Sequence, residues 1–188
     1  MNNRETISKC ALELFSKRGY DAVGIQEIID AAGITKPTLY HYFGSKEGLL
    51  KAVLQEHFDK LYSNIKKAAV YNGDVKTSLQ TIISAFFKFA KNNRTYYRMQ
   101  LSMWFAPSES DSNKAVSSHN AKLFSLIEDV FAAAAKDHGN MKGRQSLYAA
   151  TFLGMINTYI GIFFNGYSDL DDKFVQTILH QFMHGIFS

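Results

Sequence analysis

The segment 24–46, GIQEIIDAAGITKPTLYHYFGSK, constrains the fold more than any other part of the chain. Its first half carries apolar residues at helical spacing, namely Ile25, Ile28, Ile29 and Ala32. Gly33 interrupts this pattern. Thr35 and Pro37 then mark the start of a second helix, because Thr can cap free backbone N–H groups and Pro lacks an N–H that would be unpaired there. The segment predicts two short helices joined by a tight turn.

The second of these helices has one apolar and one polar side. Leu39 and Phe43, four residues apart, are expected to point into a small core. The remaining residues are distributed over the exposed side and its edges: Lys36, Pro37, Thr38, Tyr40, His41 and Tyr42. The second helix of a helix-turn-helix lies in the DNA major groove, where Lys can donate to guanine and hydroxyl groups can bind phosphate. Taken singly, the tyrosines are equally compatible with plain surface cover of a helical domain.

The rest of the chain predicts an all-α fold of about nine helices. Only Pro37 and Pro107 interrupt 188 residues, and no useful strand-like alternation occurs. Besides the two short helices, the predicted helices span residues 4–17, 46–69, 74–91, 94–105, 114–136, 145–165 and 171–187. The serine-rich segment 107–113 is predicted to be a loop. The expected domains are a head, 1–48, and a C-terminal domain, 70–188, connected by the helix 46–69.

Charge and cysteine content indicate which partners the protein can attract and which cellular compartment suits it. The formal net charge is +4, but residues 1–48 hold six basic and six acidic side chains, so a basic footprint in this part must be local. Residues 60–98 hold eight basic side chains against Asp74 alone, which indicates either a solvated helix face or an anion-attracting entrance to a cavity. The lone Cys10 excludes an internal disulfide and suits a reducing compartment. The N-terminal residues lack the apolar block of a secretory signal, so the expected location is the cytoplasm.

The C-terminal two-thirds is dense in aromatic residues and methionine. Any one of them is best explained by core packing, but the whole set exceeds what a small helical bundle needs and favours a ligand cavity. The candidate lining residues are Phe89, Tyr96, Met99, Met103, Trp104, His119, Phe152, Met155, Asn157 and Tyr159.

The segment 147–164 has eighteen residues and no charge, so a membrane span is one alternative. Ala150, Gly154 and Gly161 lie near one side of it at helical spacing, which favours close approach by another helix. We therefore expect a buried helix at a homodimer interface, in a four-helix core with the last helix. The residues expected to form the partner face of the last helix are Phe174, Ile178, Leu179, Phe182 and Ile186.

Metal and catalytic motifs are weak. His180 and His184 have a spacing that can bind metal, but no third ligand lies on the same helix, and two polar surface residues are the preferred interpretation. No nucleophile elbow or glycine-rich phosphate loop occurs, and Cys10 lies on an apolar stripe. We expect no enzyme activity, no metal and no cofactor.

The stretch GYDAVGIQEIIDAAGITKPTLYHYFGSKEGLL resembles the DNA-binding domain of TetR-type transcriptional regulators, and the resemblance covers residues 7–54. It implies that Lys36, Pro37 and Thr38 meet bases or adjacent phosphates. It further implies that Tyr40 and Lys46 bind phosphate and that His41 and Tyr42 read bases or flanking phosphates. The family also implies a homodimeric repressor, released from a palindromic operator by a small apolar, aromatic or amphipathic ligand.

The chain departs from the family at Gly24, where Ser or Thr is common and touches phosphate. Gly is a serviceable cap for a helix, but it has no side chain for phosphate, so a backbone N–H would have to substitute. This departure and the neutral head keep a second hypothesis open. It is a helical small-molecule-binding protein or enzyme whose head no longer binds DNA.

Overall fold

The computed structural model describes residues 2–185, and this part of the chain contains nine α-helices, one short 3-10 helix and no strand. The all-α prediction is confirmed. The helices are α1 Asn3–Arg18, α2 Ile25–Ala32, α3 Lys36–Phe43, α4 Lys46–Ala68, α5 Val75–Asn92, α6 Arg94–Trp104, α7 Asp111–Ala134, α8 Gln145–Phe164 and α9 Asp172–His184, with the 3-10 helix at Gly139–Met141.

Local sequence signals explain most of the helix ends. The Asn2 side chain accepts from the Glu5 N–H at 2.9 Å, and the Glu5 carboxylate accepts from the Asn2 N–H, so the two residues cap α1 reciprocally. Gly33 takes φ +62° and ψ +38°, a left-handed conformation that costs glycine little and lets the chain turn sharply from α2 into α3.

One predicted loop boundary was wrong, and one predicted helix end lies outside the described residues. The loop predicted for 107–113 ends early, because α7 already begins at Asp111. Ser110 caps this helix, with its Oγ accepting from the Asn113 N–H at 3.2 Å. At the other end of the chain, α9 is described to His184, and the predicted helical residues Ile186 and Phe187 lie outside the described residues.

The chain divides into two compact units that do not follow the linear order of the predicted domains. One unit comprises residues up to Lys60 together with Asn93–His119, and the other comprises Leu61–Asn92 and the residues from Asn120 onward. In the first unit α6 packs along α1. The Asn113 amide also donates to the Trp104 carbonyl at 2.9 Å, which joins the end of α6 to the start of α7. The division into 1–48, 46–69 and 70–188 stays a prediction about function.

Each unit has its own apolar core. Phe15, Ile28 and Leu39 are fully buried in the first unit, one from each of the first three helices. In the second unit α5 packs against α8 and α9, and the fully buried residues include Ile82 and Phe152. Burial of this kind is the main stabilising contribution to a helical fold.

Candidate nucleic-acid interface and ligand cavity

The third helix, α3, presents the side that the sequence predicted. Leu39 is fully buried and fastens the helix to its unit. Tyr40 and Tyr42 are each 40% exposed, which is unusual for large aromatic side chains and leaves their hydroxyl groups accessible. Lys36, Pro37 and His41 are also exposed, and Thr38 is half-buried. The structure thus collects all six predicted residues on one short helix, and their contacts with DNA stay predictions.

Contacts within α3 organise this surface. The Lys36 Nζ lies 6.0 Å from the centroid of the Tyr40 ring, and the His41 and Tyr42 rings meet edge to face at 5.2 Å. Thr35 occupies the N-cap position, as predicted, but its side chain makes no cap hydrogen bond. Its Oγ1 instead lies 2.8 Å from the Thr38 Oγ1. The free N–H groups at the start of α3 are therefore not occupied by the cap side chain and remain able to bind an anion.

The start of α2 is stabilised by a bond between its N-cap residue and its own first turn. The Gly24 N–H donates to the Glu27 carboxylate at 2.9 Å, and this bond holds the pKa of Glu27 below its usual range. Arg18 pairs with the same carboxylate. The Gly24 N–H is therefore occupied, but no cap side chain covers the N–H groups of the first turn of α2, and their contact with phosphate stays a prediction.

Lys46 is less exposed than the exposed hydrogen-bond donors of α3. It is half-buried, and its Nζ lies 4.2 Å from the centroid of the Tyr20 ring. Partial burial lowers the pKa of Lys46, while the charges of Asp21, Asp111 and Glu27 act in the opposite direction. The ammonium group that the resemblance assigns to phosphate therefore lies in the field of three carboxylates.

Sequence reasoning missed Arg4. This exposed residue in the first turn of α1 places its guanidinium carbon 5.6 Å from the centroid of the Phe43 ring, at the end of α3. A cation beside α3 is well placed to add to the positive field of a neutral head. Only the tertiary fold reveals it, since Arg4 and Phe43 lie in different helices.

A cavity of about 680 Å³ lies in the second unit, between α5, α7, α8, α9 and the turn before α8. Its volume is in the range of small-molecule sites. Of the ten residues predicted to line a cavity, this one includes Met155 and Tyr159. The Tyr159 hydroxyl lies 3.2 Å from the Gln181 Oε1, a bond that joins α8 to α9 beside the cavity.

The other eight predicted lining residues do not line this cavity. Four of them are buried in the core of the first unit, namely Tyr96, Met99, Met103 and His119, and Trp104 lies on the surface of that unit. In this buried region the His57 and Tyr96 rings stack at 4.8 Å and the Phe58 and His119 rings at 4.0 Å. In the second unit Phe89 and Phe152 are buried and Asn157 is half-buried. Helical spacing identifies the buried face of a helix. It does not indicate which residues of that face border a cavity.

One side of α8 faces away from the core of its unit. Ala150, Gly154 and Thr158 are exposed, and a Cβ atom added at Gly154 or Gly161 would meet nothing within 4 Å. By length and composition α8 is long and apolar enough to cross a membrane, and only 22% of its apolar window is buried. A helix at an interface passes the same test, and a row of small residues favours helix packing over contact with lipid.

The prediction for α9 was partly wrong. Ile178 and Leu179 were expected on the partner face, but both are buried within their own unit, where α9 packs on α5. Phe174 and Phe182 are half-buried against Phe87 and Phe152 respectively. The outward side of α9 is polar instead, with Gln176, Thr177 and His180 exposed.

The two histidines of α9 form a pair without further ligands. The ring centroids of His180 and His184 are 4.6 Å apart, beside a cleft of about 320 Å³ that Lys76 also lines. Within residues 2–185 no group of three or more His, Cys, Asp or Glu side chains is arranged to hold a metal ion. A nearby ammonium group also disfavours a bound cation.

The head domain matches a known protein family. Residues 7–53 match the family model of bacterial regulatory proteins of the tetR family. The transcriptional activator FasR of Mycolicibacterium smegmatis is 43% identical over 89 residues, which cover 47% of this chain and 41% of FasR. The transcriptional repressor KstR2 of Rhodococcus jostii is 29% identical over 85 residues, covering 45% of this chain and 42% of KstR2. The matches thus span about two fifths of the length of these relatives.

Similarity to solved structures extends over the whole chain. A putative fatty acid metabolism regulator of Clostridium perfringens has a TM-score of 0.82 and 19% identity, covering 97% of this chain and 99% of that one. FadR of Bacillus subtilis, solved in complex with stearoyl-CoA, has a TM-score of 0.79 and 18% identity, covering 97% and 98%. At these identities the likeness shows the fold.

A helix-turn-helix whose second helix carries an exposed row of polar side chains is the architecture of a DNA-binding head. Residues 7–53 of this chain form a head domain of the tetR family of bacterial regulatory proteins.

Proposed function

We propose that this protein is a ligand-responsive transcriptional repressor that binds a palindromic operator as a homodimer in the cytoplasm. The observation that carries the proposal is the exposed row on α3, where Lys36, Tyr40 and Tyr42 project from a helix anchored by the buried Leu39. The family match supports the role of that helix in DNA binding, and the names of the relatives support regulation of transcription. These relatives include an activator as well as a repressor, so the sign of regulation needs its own measurement.

The homodimer follows from the outward side of α8. A head of this size reads only a few base pairs, and two heads must be set about one turn of DNA apart to reach a palindrome. The exposed small residues of α8 leave room for a second helix, and an isologous interface would place α8 against its own copy. We assign the interface to α8 and to the outward, polar side of α9.

The ligand response follows from the cavity in the second unit. A ligand shifts a conformational equilibrium only by its different affinities for the two states, so the cavity must change shape when the heads change spacing. Its apolar lining suits a lipophilic molecule, and FadR of Bacillus subtilis was solved with stearoyl-CoA.

The primary experiment is a gel-shift titration of the purified protein with the DNA upstream of its own gene. We expect a sequence-specific complex whose log K falls by about seven per tenfold rise in salt, for roughly eight phosphates neutralised per dimer. A promoter fusion then distinguishes repression from activation. Absence of a salt-sensitive, specific complex would contradict the proposal.

Two variants separate base reading from backbone binding. Tyr40→Phe removes a hydroxyl that is predicted to bind phosphate. It should weaken binding to all DNA sequences by a similar factor. Lys36→Ala should also change the preferred bases, because Lys36 is predicted to reach base edges. Equal loss of specificity from both variants would contradict this assignment.

A helical small-molecule-binding protein or enzyme remains the second candidate. The observation in its favour is that Glu27 occupies the Gly24 N–H at the start of α2, within a head of zero net charge. If this second candidate is right, the protein binds a ligand but forms no specific DNA complex at any salt concentration.

A further inference from the structure

A cleft of about 320 Å³ lies between α5 and α9 in the second unit. Most of its lining side chains can donate hydrogen bonds, namely Lys76 and Gln80 on α5 and Gln176, His180 and His184 on α9. Among the described residues, no carboxylate lines it. Met183 lines both this cleft and the cavity of about 680 Å³, but the two spaces share no other residue. The cleft is therefore a separate site with a surplus of donors.

Helical spacing brings these donors together. Lys76 and Gln80 are four residues apart on α5, and Gln176, His180 and His184 follow one another at intervals of four on α9. Side chains at this spacing lie on the same face of a helix. Because α9 packs against α5, the two rows of donors line one cleft.

The ammonium group in the cleft is not paired with an acid of the protein. Lys76 is exposed and makes no ion pair with any residue in the range 2–185. The Asp74 carboxylate instead accepts from the Thr77 hydroxyl at 2.6 Å and from the Thr77 N–H at 3.1 Å. These bonds, and to a smaller extent the charge of Lys76, hold the pKa of Asp74 below its usual range. An ammonium group without an acidic partner attracts anions.

The two histidines make the positive charge of the cleft adjustable. The ring centroids of His180 and His184 are 4.6 Å apart, and neither ring hydrogen-bonds to another described residue. These two rings and Lys76 are the titratable groups that line the cleft from α5 and α9. Imidazole gains a proton between about pH 8 and pH 5, so each ring can add a positive charge beside the ammonium group as the pH falls.

The number of donors and charges selects the chemistry of the ligand. A carboxylate offers two oxygen atoms and one charge, whereas the cleft offers five donor side chains and up to three positive charges. A phosphate group offers more acceptor oxygens and carries about 1.5 to 2 negative charges at pH 7. The volume of the cleft is at the lower end of small-molecule sites, which leaves room for a small organic group beside the phosphate.

We infer that the cleft between α5 and α9 binds a phosphate group, either as free phosphate or as the phosphate monoester of a small polar molecule. Lys76 supplies a permanent charge, the two histidines supply charge as they become protonated, and Gln80 and Gln176 donate to the remaining oxygens. This inference goes beyond the proposed function, because neither DNA nor the cavity of about 680 Å³ takes part in the binding. The outward side of α9, which we assign to the dimer interface, borders the cleft, and the exposed Lys76 leaves it open from α5.

The test is isothermal titration of the purified full chain at constant ionic strength, with inorganic phosphate, glycerol 3-phosphate, acetate and glycerol as probes. We expect a single saturable site per chain for phosphate or its monoester, with a Kd below about 1 mM. Acetate should bind at least about tenfold more weakly, and glycerol should not bind, because each lacks the charge that the cleft attracts. Tighter binding of glycerol 3-phosphate identifies the ligand as a monoester. Equal or tighter binding of inorganic phosphate identifies free phosphate.

Substitutions on both helices test the assignment of the donors. Lys76→Gln should weaken phosphate binding about five- to tenfold, the value of one charge-assisted hydrogen bond in an open cleft. Lys88→Gln is the matched control, since Lys88 is an exposed lysine of the same helix that does not line the cleft, and it should leave the affinity unchanged. Gln176→Glu places a carboxylate in the cleft with little change of size and should abolish measurable binding. All three positions are exposed, so the variants should remain folded.

Sulfate is the probe for the two histidines. Its charge does not change between about pH 6 and pH 8, whereas a phosphate monoester loses part of its charge near pH 6. The wild type should bind sulfate about five- to tenfold more tightly at pH 6 than at pH 8, because protonated imidazole attracts the anion. A double variant with His180→Gln and His184→Gln should bind sulfate equally at both pH values.

Four outcomes would overturn the inference. They are the absence of saturable binding by both phosphate probes, acetate affinity equal to that of phosphate, equal effects of Lys76→Gln and Lys88→Gln, and a sulfate affinity of the wild type that does not vary with pH. All titrations are made without DNA. Their failure therefore leaves the proposed repressor untouched, and the absence of a DNA complex leaves the phosphate site untouched.

Discussion

The Nζ of Lys46 lies 4.2 Å from the centroid of the Tyr20 ring, within the cation–π distance. Ser45 fixes the start of α4 by accepting from the Gly48 N–H at 2.9 Å, so the position of Lys46 is set by its own helix. The ammonium group thus lies on an aromatic face and in the electrostatic field of Asp21, Asp111 and Glu27.

This arrangement predicts opposite effects of two substitutions on operator affinity. Lys46→Met should weaken binding to all sequences and lower the salt slope by about one per head, because one phosphate contact is lost. Asp111→Asn removes a negative charge that acts on Lys46 and should tighten binding by up to about fivefold. Both are measured by gel shift at several salt concentrations. Lys60→Met, the same change on α4 where Lys60 pairs with Glu56, is the control. Equal slopes for Lys46→Met and Lys60→Met would contradict the phosphate role.

The outward side of α8 predicts that bulk at Gly154 dissociates the dimer. Gly154→Leu adds a large side chain where a partner helix must approach closely, while it raises the helix propensity of α8 itself. Sedimentation velocity should therefore show folded monomers and loss of operator binding. Ala132→Leu, at an exposed position of α7, is the control and should stay dimeric. Persistence of the dimer in Gly154→Leu would exclude this face as the interface.

The bond between Gly24 and Glu27 predicts a pH-dependent contribution to stability. The pKa of Glu27 is lower in the folded protein, chiefly because the Gly24 N–H donates to it and in part because Arg18 is near. The stabilisation is therefore present above the unfolded pKa of about 4.3 and is lost as the pH falls through the lower folded pKa. The free energies of urea unfolding of the wild type and Glu27→Gln should differ most at neutral pH, and the difference should shrink as the pH falls below about 4.3. A difference that does not vary with pH would contradict this linkage.

The helix-turn-helix was predictable because its signals are local. Gly33 must end α2 in a left-handed conformation, and Leu39 must face inward at helical spacing. The six candidate donors of α3 then follow from the face that remains. The family resemblance rests on the same short segment, which explains why residues 7–53 match a family model.

The cavity was harder to predict because it depends on gaps between helices. Tyr96 and Met99 belong to the same aromatic-rich pattern as Tyr159, yet the first two are buried in the first unit while Tyr159 borders the cavity of the second.

The sequence by itself therefore determined the helical class, the reading helix and its exposed donors, because caps, turns and apolar spacing act over a few residues. Tertiary structure decided which donors are available and where a ligand fits. Tyr20 packs on Lys46, and Arg4 lies beside Phe43 at the end of α3. The cavity forms where side chains from α5, α7, α8 and α9 fail to meet. These features depend on the packing of residues that are distant in sequence, for which helical periodicity holds no information.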